Sequence, residues 1–311
     1  MRTLLFTAGV LALIGCGPKG SAGDDAPGDD DPPGDDAPDA DPTQFPDAAH
    51  CDKMDVLFVI DNSGSMGQEQ TNLATNFPMF IQVLNESGLD YRVGVTSTGR
   101  NYTYQMATPI GNIPASQDGG DDGRLLHPPG CNMPNAWIEK TDTDPAGMFS
   151  CAANLGTSGP SDEMPLSAMR DAFEERLADG TNAGFLRPDA LLAIVMLTDE
   201  NDCSYEQEVT LAFTESLCDA QMEPVANYVQ FLDTLTGSRQ RWATAVIAGP
   251  GPGSCSSALG DADEATRLVD FVQQTGTNAV MSSICEGDLS VGLRDALATF
   301  NSACEAFPPI E

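Results

Sequence analysis

Past residue 50 the chain alternates between two kinds of hydrophobic pattern. Short, nearly continuous apolar runs stand at 54–60, 91–96, 191–197, 242–248 and 277–282, the length of strands buried on both faces. Between them the apolar positions recur at helical spacing. In 65–86 they are Leu73, Phe77, Phe80, Ile81 and Leu84, with Pro78 expected to kink the helix. In 164–177 they are Leu166, Met169, Ala172, Phe173 and Leu177. Further helices are predicted over 225–235 and 288–306, and another capped by Asp261 with Asp263 and Glu264 in its first turn. Strands alternating with helices, the strands apolar on both sides, predict an α/β fold: a doubly wound, mostly parallel sheet flanked by helices. Residues 99–160 break the pattern. They are rich in Gly, Pro, Asn and Asp and read as an edge hairpin followed by a long loop.

Composition changes the picture at the N-terminus. Residues 17–50 hold ten Asp, seven Pro and five Gly, with Phe45 as their sole aromatic. Such a segment buries too little apolar surface to offset its ordering entropy, and its like charges extend it, so a disordered acidic linker is expected. Ahead of it, Arg2 and an apolar run from Leu4 to Ile14 have the form of a signal peptide and are too short to span a bilayer. The run ends in Leu13-Ile14-Gly15-Cys16, which resembles the bacterial lipobox. That resemblance implies removal of residues 1–15, lipidation of Cys16 and a membrane anchor. Gly17 rather than Asp after the cysteine implies the outer membrane, with the domain facing the periplasm or the cell surface.

Lys plus Arg number 14 against 47 Asp plus Glu, a formal charge of −33. Nucleic acid is excluded as a partner, because phosphate binding needs clustered cations. Apart from Cys16, eight cysteines remain: Cys51, Cys131, Cys151, Cys203, Cys218, Cys255, Cys285 and Cys304. In an exported chain an even number reads as up to four disulfides, so the fold is expected to be disulfide-braced. Proximity suggests 131–151, 203–218 and 255–285, leaving 51–304 to join the domain's two ends.

Two buried strands end in aspartate, at Ile60-Asp61 and Thr198-Asp199. In an open parallel sheet, ligands bind beyond the carboxyl ends of the strands. Asp61-Asn62-Ser63-Gly64-Ser65-Met66 follows the first strand and opens a helix, and Leu197-Thr198-Asp199 closes the central strand. In these motifs and in its strand–helix order over 51–311, the chain resembles the von Willebrand factor A (vWA) domain, with 99–160 as a long insertion. The resemblance implies a metal-ion-dependent adhesion site (MIDAS). Its ligands would be Asp61, Ser63, Ser65, Asp199 and a loop threonine, for which Thr157 is the match; Ser158, Ser161 or Glu163 remain alternatives. Oxygen donors of this kind suit Mg²⁺, Mn²⁺ or Ca²⁺. Neutral hydroxyls leave the cation electrophilic, able to take an acidic side chain from a protein partner. A helix N-terminus repels a cation, so the two aspartates must supply the attraction.

Enzymatic readings fit less well. Phosphotransfer at a strand-end aspartate commonly needs a second Asp two residues on, where this chain has Ser63, and no Lys lies between 54 and 139. A nucleophile elbow G-x-S-x-G would need glycine where Ser63 stands. The expectation is therefore a lipid-anchored, non-enzymatic lipoprotein that binds a cation and, through it, a protein in adhesion or envelope assembly. The alternatives are a structural envelope lipoprotein with an unused site, or a Mg²⁺-dependent hydrolase. The run 199–203 reads as a solvated loop pinned by Cys203 in preference to a second cation site, and 249–253 as a turn rather than a phosphate loop.

Overall fold

Val56, Phe58 and Ile60 pack toward one side of the first strand and Leu57 and Val59 toward the other. The strand is thus forced into the middle of a covered sheet, as its unbroken apolar run requires. The computed structural model describes residues 51–309 other than 206–208, 213, 214, 216, 220, 221 and 259. The expected signal peptide, Cys16 and the acidic linker lie outside the described residues. In chain order the strands are β1 (Lys53–Ile60), β2 (Asp90–Ser97), β3 (Tyr102–Thr108), β4 (Gly111–Gln117), β5 (Ile138–Glu139), β6 (Leu191–Leu197), β7 (Thr210–Ala212), β8 (Trp242–Ala248), β9 (Cys255–Ser257), β10 (Gly260–Ala262) and β11 (Ala279–Ser283). The helices are α1 (Gly67–Glu86), α2 (Pro145–Ala152), α3 (Pro165–Phe173), α4 (Glu175–Ala178), α5 (Val225–Thr236), α6 (Thr266–Thr275) and α7 (Leu289–Glu305).

The main sheet runs β11-β8-β6-β1-β2-β5, parallel throughout except for β5, which pairs antiparallel to β2 at the edge. Helices α1, α2 and α7 cover one face and α3, α5 and α6 the other. This is the doubly wound α/β architecture that the alternation of patterns predicts. Chain order reverses between β1 and β6: from β1 the chain moves outward to β2, and from β6 it moves the opposite way to β8. A crevice opens at such a reversal, at the carboxyl ends of the strands.

Four disulfides brace the fold, Cys51–Cys304, Cys131–Cys151, Cys203–Cys218 and Cys255–Cys285, the pairing that proximity suggests. Two of them hold α7, one just before its first turn and one in its last.

Three local expectations need correction. Asp261 does not cap a helix: it lies in β10, paired with β9, and α6 begins after Ala265. Gly260, at φ +148°, supports the tight reversal that the capping pattern obscured. The helix over 164–177 breaks at Glu174 into α3 and α4. The insertion contains α2, where Asp144 accepts a hydrogen bond from Gly147 N (3.0 Å) and Pro145 occupies the first turn. Its Phe149 joins Phe58, Phe77 and Phe80 in an aromatic cluster; the Phe58 and Phe77 rings meet edge-on at 5.6 Å.

At the opposite end of the sheet, the fully buried Asp55 accepts from the Arg187 backbone N (2.6 Å) and Nε (2.8 Å). Burial raises the Asp55 pKa and Arg187 opposes the rise. Replacing Arg187 with Ala leaves a buried carboxylate without its counter-charge. A loss of about 3 kcal/mol is expected, read as a lower denaturant midpoint; an unchanged midpoint would show that water reaches Asp55.

Candidate metal centre

β1 and β6 end side by side: Asp61 N donates to Leu197 O (2.9 Å), and the two strand-end aspartates flank the topological crevice. Asp61 is completely buried and well satisfied. Its Oδ1 accepts from Ser63 N (2.7 Å) and its Oδ2 from Thr198 Oγ1 (2.6 Å). The first of these bonds folds the chain back after the strand and brings the Ser63 and Ser65 hydroxyls to 3.1 Å from each other at the mouth of α1.

Asp199 differs from Asp61 in one respect. It is 4% exposed, and its Oδ1 is buried without a hydrogen-bond partner. A carboxylate oxygen out of water and without a donor is costly unless a cation occupies the place. Beside it opens a cleft of about 410 Å³ lined by Ser65, Asp199, Glu200, Ser254, Asp261 and Asp263 among others, none of them basic.

The loop expected to supply a threonine reaches the same place. Gly159 N donates to Asn62 O (2.8 Å), and Gln70 Nε2 bridges Asp61 O (2.8 Å) and Gly156 O (3.0 Å). A Cβ added at Gly67 would stand 3.4 Å from Thr157 Cγ2, so Thr157 lies against the first turn of α1. Thr157, Ser158 and Ser161 are all exposed, so exposure does not choose among them. Glu163 is fully buried, accepts from Thr98 Oγ1 through Oε2, and turns Oε1 toward Asp61 with no donor between them. Two carboxylates tolerate that approach only with a proton or a cation between them.

The electrostatics follow from this crowding. Burial raises the Asp61 pKa, opposed by Thr198 and Ser63 and reinforced by the charge of Asp199. Burial likewise raises Asp199, against the pull of the Ser65 hydroxyl. Glu163 is raised by burial and then by Asp61. Glu200 is pushed up to about 7 by burial, then by Asp61 and Asp199. The donors present fit a hard divalent cation: serine and threonine hydroxyls and aspartate oxygens, one of them buried and unpartnered, with no basic residue among those described as lining the cleft.

No protein-family model matches the sequence, and no curated protein does. Among solved structures, the chain is similar to proximal thread matrix protein 1 from the mussel byssus (11% identity, TM-score 0.42, 81% of this chain and 49% of that one). It is also similar to the pilus adhesin SpaC from Lactobacillus rhamnosus GG (11% identity, TM-score 0.41, 83% of this chain and 31% of that one). A third is the SpRpn10 VWA domain (12% identity, TM-score 0.38, 83% of this chain and 99% of that one). The chain spans about half the length of the first and about a third of the second.

Sequence reasoning did not single out Gln70, Thr98 or Glu69, polar side chains with no local signature. The 199–203 run is also more than a solvated loop. Asp202 is fully buried, accepts from Leu166 N (3.1 Å) and Ser204 Oγ (2.6 Å), and is held by Arg267 Nε (2.9 Å). Asn201 Oδ1 accepts from Arg267 N (3.0 Å) in the first turn of α6. The run therefore ties α3 and α6 to the end of β6.

Proposed function

We propose that this is a membrane-anchored lipoprotein whose vWA-type domain holds a divalent cation and uses it to bind a protein. The observation that carries the reading is the buried, unpartnered Asp199 Oδ1, beside Ser65 where the strand order reverses, with no basic side chain lining the adjoining cleft. Mg²⁺, Mn²⁺ or Ca²⁺ in that place would polarise an incoming carboxylate. Ser63, Ser65, Thr157 and Asp199 would hold the ion, with Asp61 oriented by Ser63 and Thr198 as its buried counter-charge. An acidic side chain of the partner would complete the coordination. Lipidation at Cys16 and an outer-membrane location belong to the same proposal, as does the absence of an enzymatic role.

The insertion supplies the surface for choosing that partner. Between 101 and 117 there is no charged residue, in a chain of net charge −33. These residues form the hairpin β3–β4, anchored through Tyr102 on Met164 and Tyr205. Ile110 at its tip is 92% exposed and Ile113 is 48% exposed. The free edge of β4 is guarded. Gln105 N donates to Val209 O, toward β7, so its antiparallel partner Pro114 faces its nitrogen outward, where a further strand would need a donor. Contact is therefore expected through side chains rather than by strand addition.

The test is calorimetric titration of the protein with Mg²⁺, Mn²⁺ and Ca²⁺, up to millimolar metal, beside Asp61→Ala and Ser63→Ala. Saturable binding in the wild type, weakened at least tenfold in both folded variants, is the expected result. A folded wild type that binds none of the three ions overturns the site and leaves a structural envelope lipoprotein.

A further inference from the structure

Among the described residues, the large apolar side chains left exposed are Ile110 and Ile113, and both belong to the β3–β4 hairpin. Its register sorts the hairpin into two faces. Tyr104, Met106, Ile113 and Ala115 share one, with Ile110 beyond them in the turn; the other is polar, with Gln105 and Asn112 on it. Neither face carries a charge. The turn also asks little of water. Pro109 has no N–H, Ile110 N donates to Thr108 Oγ1 (3.4 Å), and that hydroxyl donates to Gly111 O (2.6 Å).

Area, charge and backbone together decide what covers such a tip. A stable protein interface takes about 800 Å² from each partner, and two isoleucines with a turn supply a small part of that. A second copy would bring a charge of −33 against a charge of −33. A lipid surface asks instead for apolar side chains with no charge beside them and for backbone groups that find their partners within the protein. The tip meets both conditions. Tyr104 stands behind it, where a tyrosine fits the level of the headgroups. The acidic remainder of the chain then selects among lipids, since anionic headgroups repel it and neutral ones do not.

We propose that the tip of the β3–β4 hairpin enters the surface of a neutral, zwitterionic lipid bilayer, with Ile110 and Ile113 as the inserted side chains. This goes beyond the protein-binding reading and needs no bound cation; partner choice is left to the polar face of the same hairpin. At the hairpin's base Tyr102 donates to Asp162, the neighbour of Glu163. Insertion would therefore hold the domain by the end that carries the proposed metal centre.

The experiment is flotation with phosphatidylcholine vesicles, using the full chain with Cys16→Ser so that no acyl chain contributes. Chelator is present throughout, so the result stands whether or not the metal centre exists. This parent is compared with the same chain carrying Ile110→Ser/Ile113→Ser, two exposed positions outside the core, with circular dichroism as the check on folding. Whatever residues 1–50 contribute is common to both. The expected result is that the parent floats and that its partition coefficient falls at least about tenfold in the double variant. Vesicles enriched in phosphatidylglycerol should hold the parent less well, and added salt should restore the binding. A parent that does not float, equal partition of parent and variant, or tighter binding to the anionic vesicles overturns the proposal. If the double variant does not fold, Ile110→Trp is read in its place. A blue shift of its emission on adding vesicles, with quenching by brominated lipid, supports insertion, and emission unmoved by vesicles overturns it.

Discussion

Stripped of divalent cations, the protein is expected to lose stability as pH rises from about 5 to about 9, by several kcal/mol in total. In the unfolded chain, aspartate and glutamate release their protons near pH 4. In the folded protein Asp61 and Glu163 keep theirs to higher pH, and Glu200 to about 7, because burial and mutual repulsion disfavour their charged forms. Asp171 behaves likewise, raised to about 6 by burial against the pull of Arg100. Across that window the native state binds more protons than the unfolded state, so the slope of unfolding free energy against pH is negative. The groups with opposite shifts do not compensate. Glu223 is lowered by Arg170 in spite of its burial, and Asp233 by Arg239, so both have finished titrating below the window. A bound cation competes with the same protons, so metal affinity should climb over the range in which metal-free stability falls. At one hundred times its Kd a cation returns about 2.7 kcal/mol. Denaturant unfolding in chelator and in saturating Ca²⁺, at pH 5, 7 and 9, measures both. A flat or rising curve in chelator would show that the acids at the strand ends are hydrated and that the electrostatics argued for the site are wrong.

Removing the Cys51–Cys304 bond is expected to cost more than removing any other disulfide. It closes a loop of 253 residues, and the loop-closure entropy it takes from the unfolded chain corresponds to about 5 kcal/mol. The bond Cys131–Cys151, with a separation of 20, corresponds to about 3 kcal/mol. The long bond is reinforced locally by Cys51 N donating to Cys304 O at 3.0 Å. Paired Cys→Ser variants, compared by denaturant midpoint, give the ranking. A smaller loss for the 51–304 pair than for the 131–151 pair would mean that the unfolded chain already holds its ends together, and that the stabilisation lies elsewhere.

What could be read in the sequence depended on how local each signal was. The strands 54–60 and 191–197 were legible because a strand covered on both faces needs apolar residues at consecutive positions. The motif Asp61-x-Ser63-x-Ser65 was legible because its hydroxyls are contiguous with the strand that places them. Thr157 was harder to choose, since only packing against Gly67 singles it out from Ser158 and Ser161. Gln70 and Thr98 had no signal at all: each is an ordinary polar residue until the fold sets Gly156 beside one and Glu163 beside the other. Asp261 was misread because an aspartate ahead of further acids suits a helix cap and a tight hairpin equally. Asp202 was misread because a run of charges is usually solvated, and only Arg267, arriving from α6, makes its burial tolerable.

The position of β1 also has a mechanical meaning. Strand β1 begins at Lys53, two residues after Cys51, and Asp61 follows its last residue, so under the proposed function a tether joined ahead of residue 51 and a ligand held at Asp61 would strain the same line. That line runs down the middle of the sheet, paired to β2 over Lys53–Ile60 on one side and to β6 over Met54–Ile60 on the other. Tension along it acts in shear, and the two ladders must yield together rather than open one bond at a time. At its lower end the disulfide to Cys304 shares the pull with α7. On the proposed function, force between tether and ligand would enter the protein along β1 and not through the insertion. A domain used in that way would carry its load in shear across two parallel ladders.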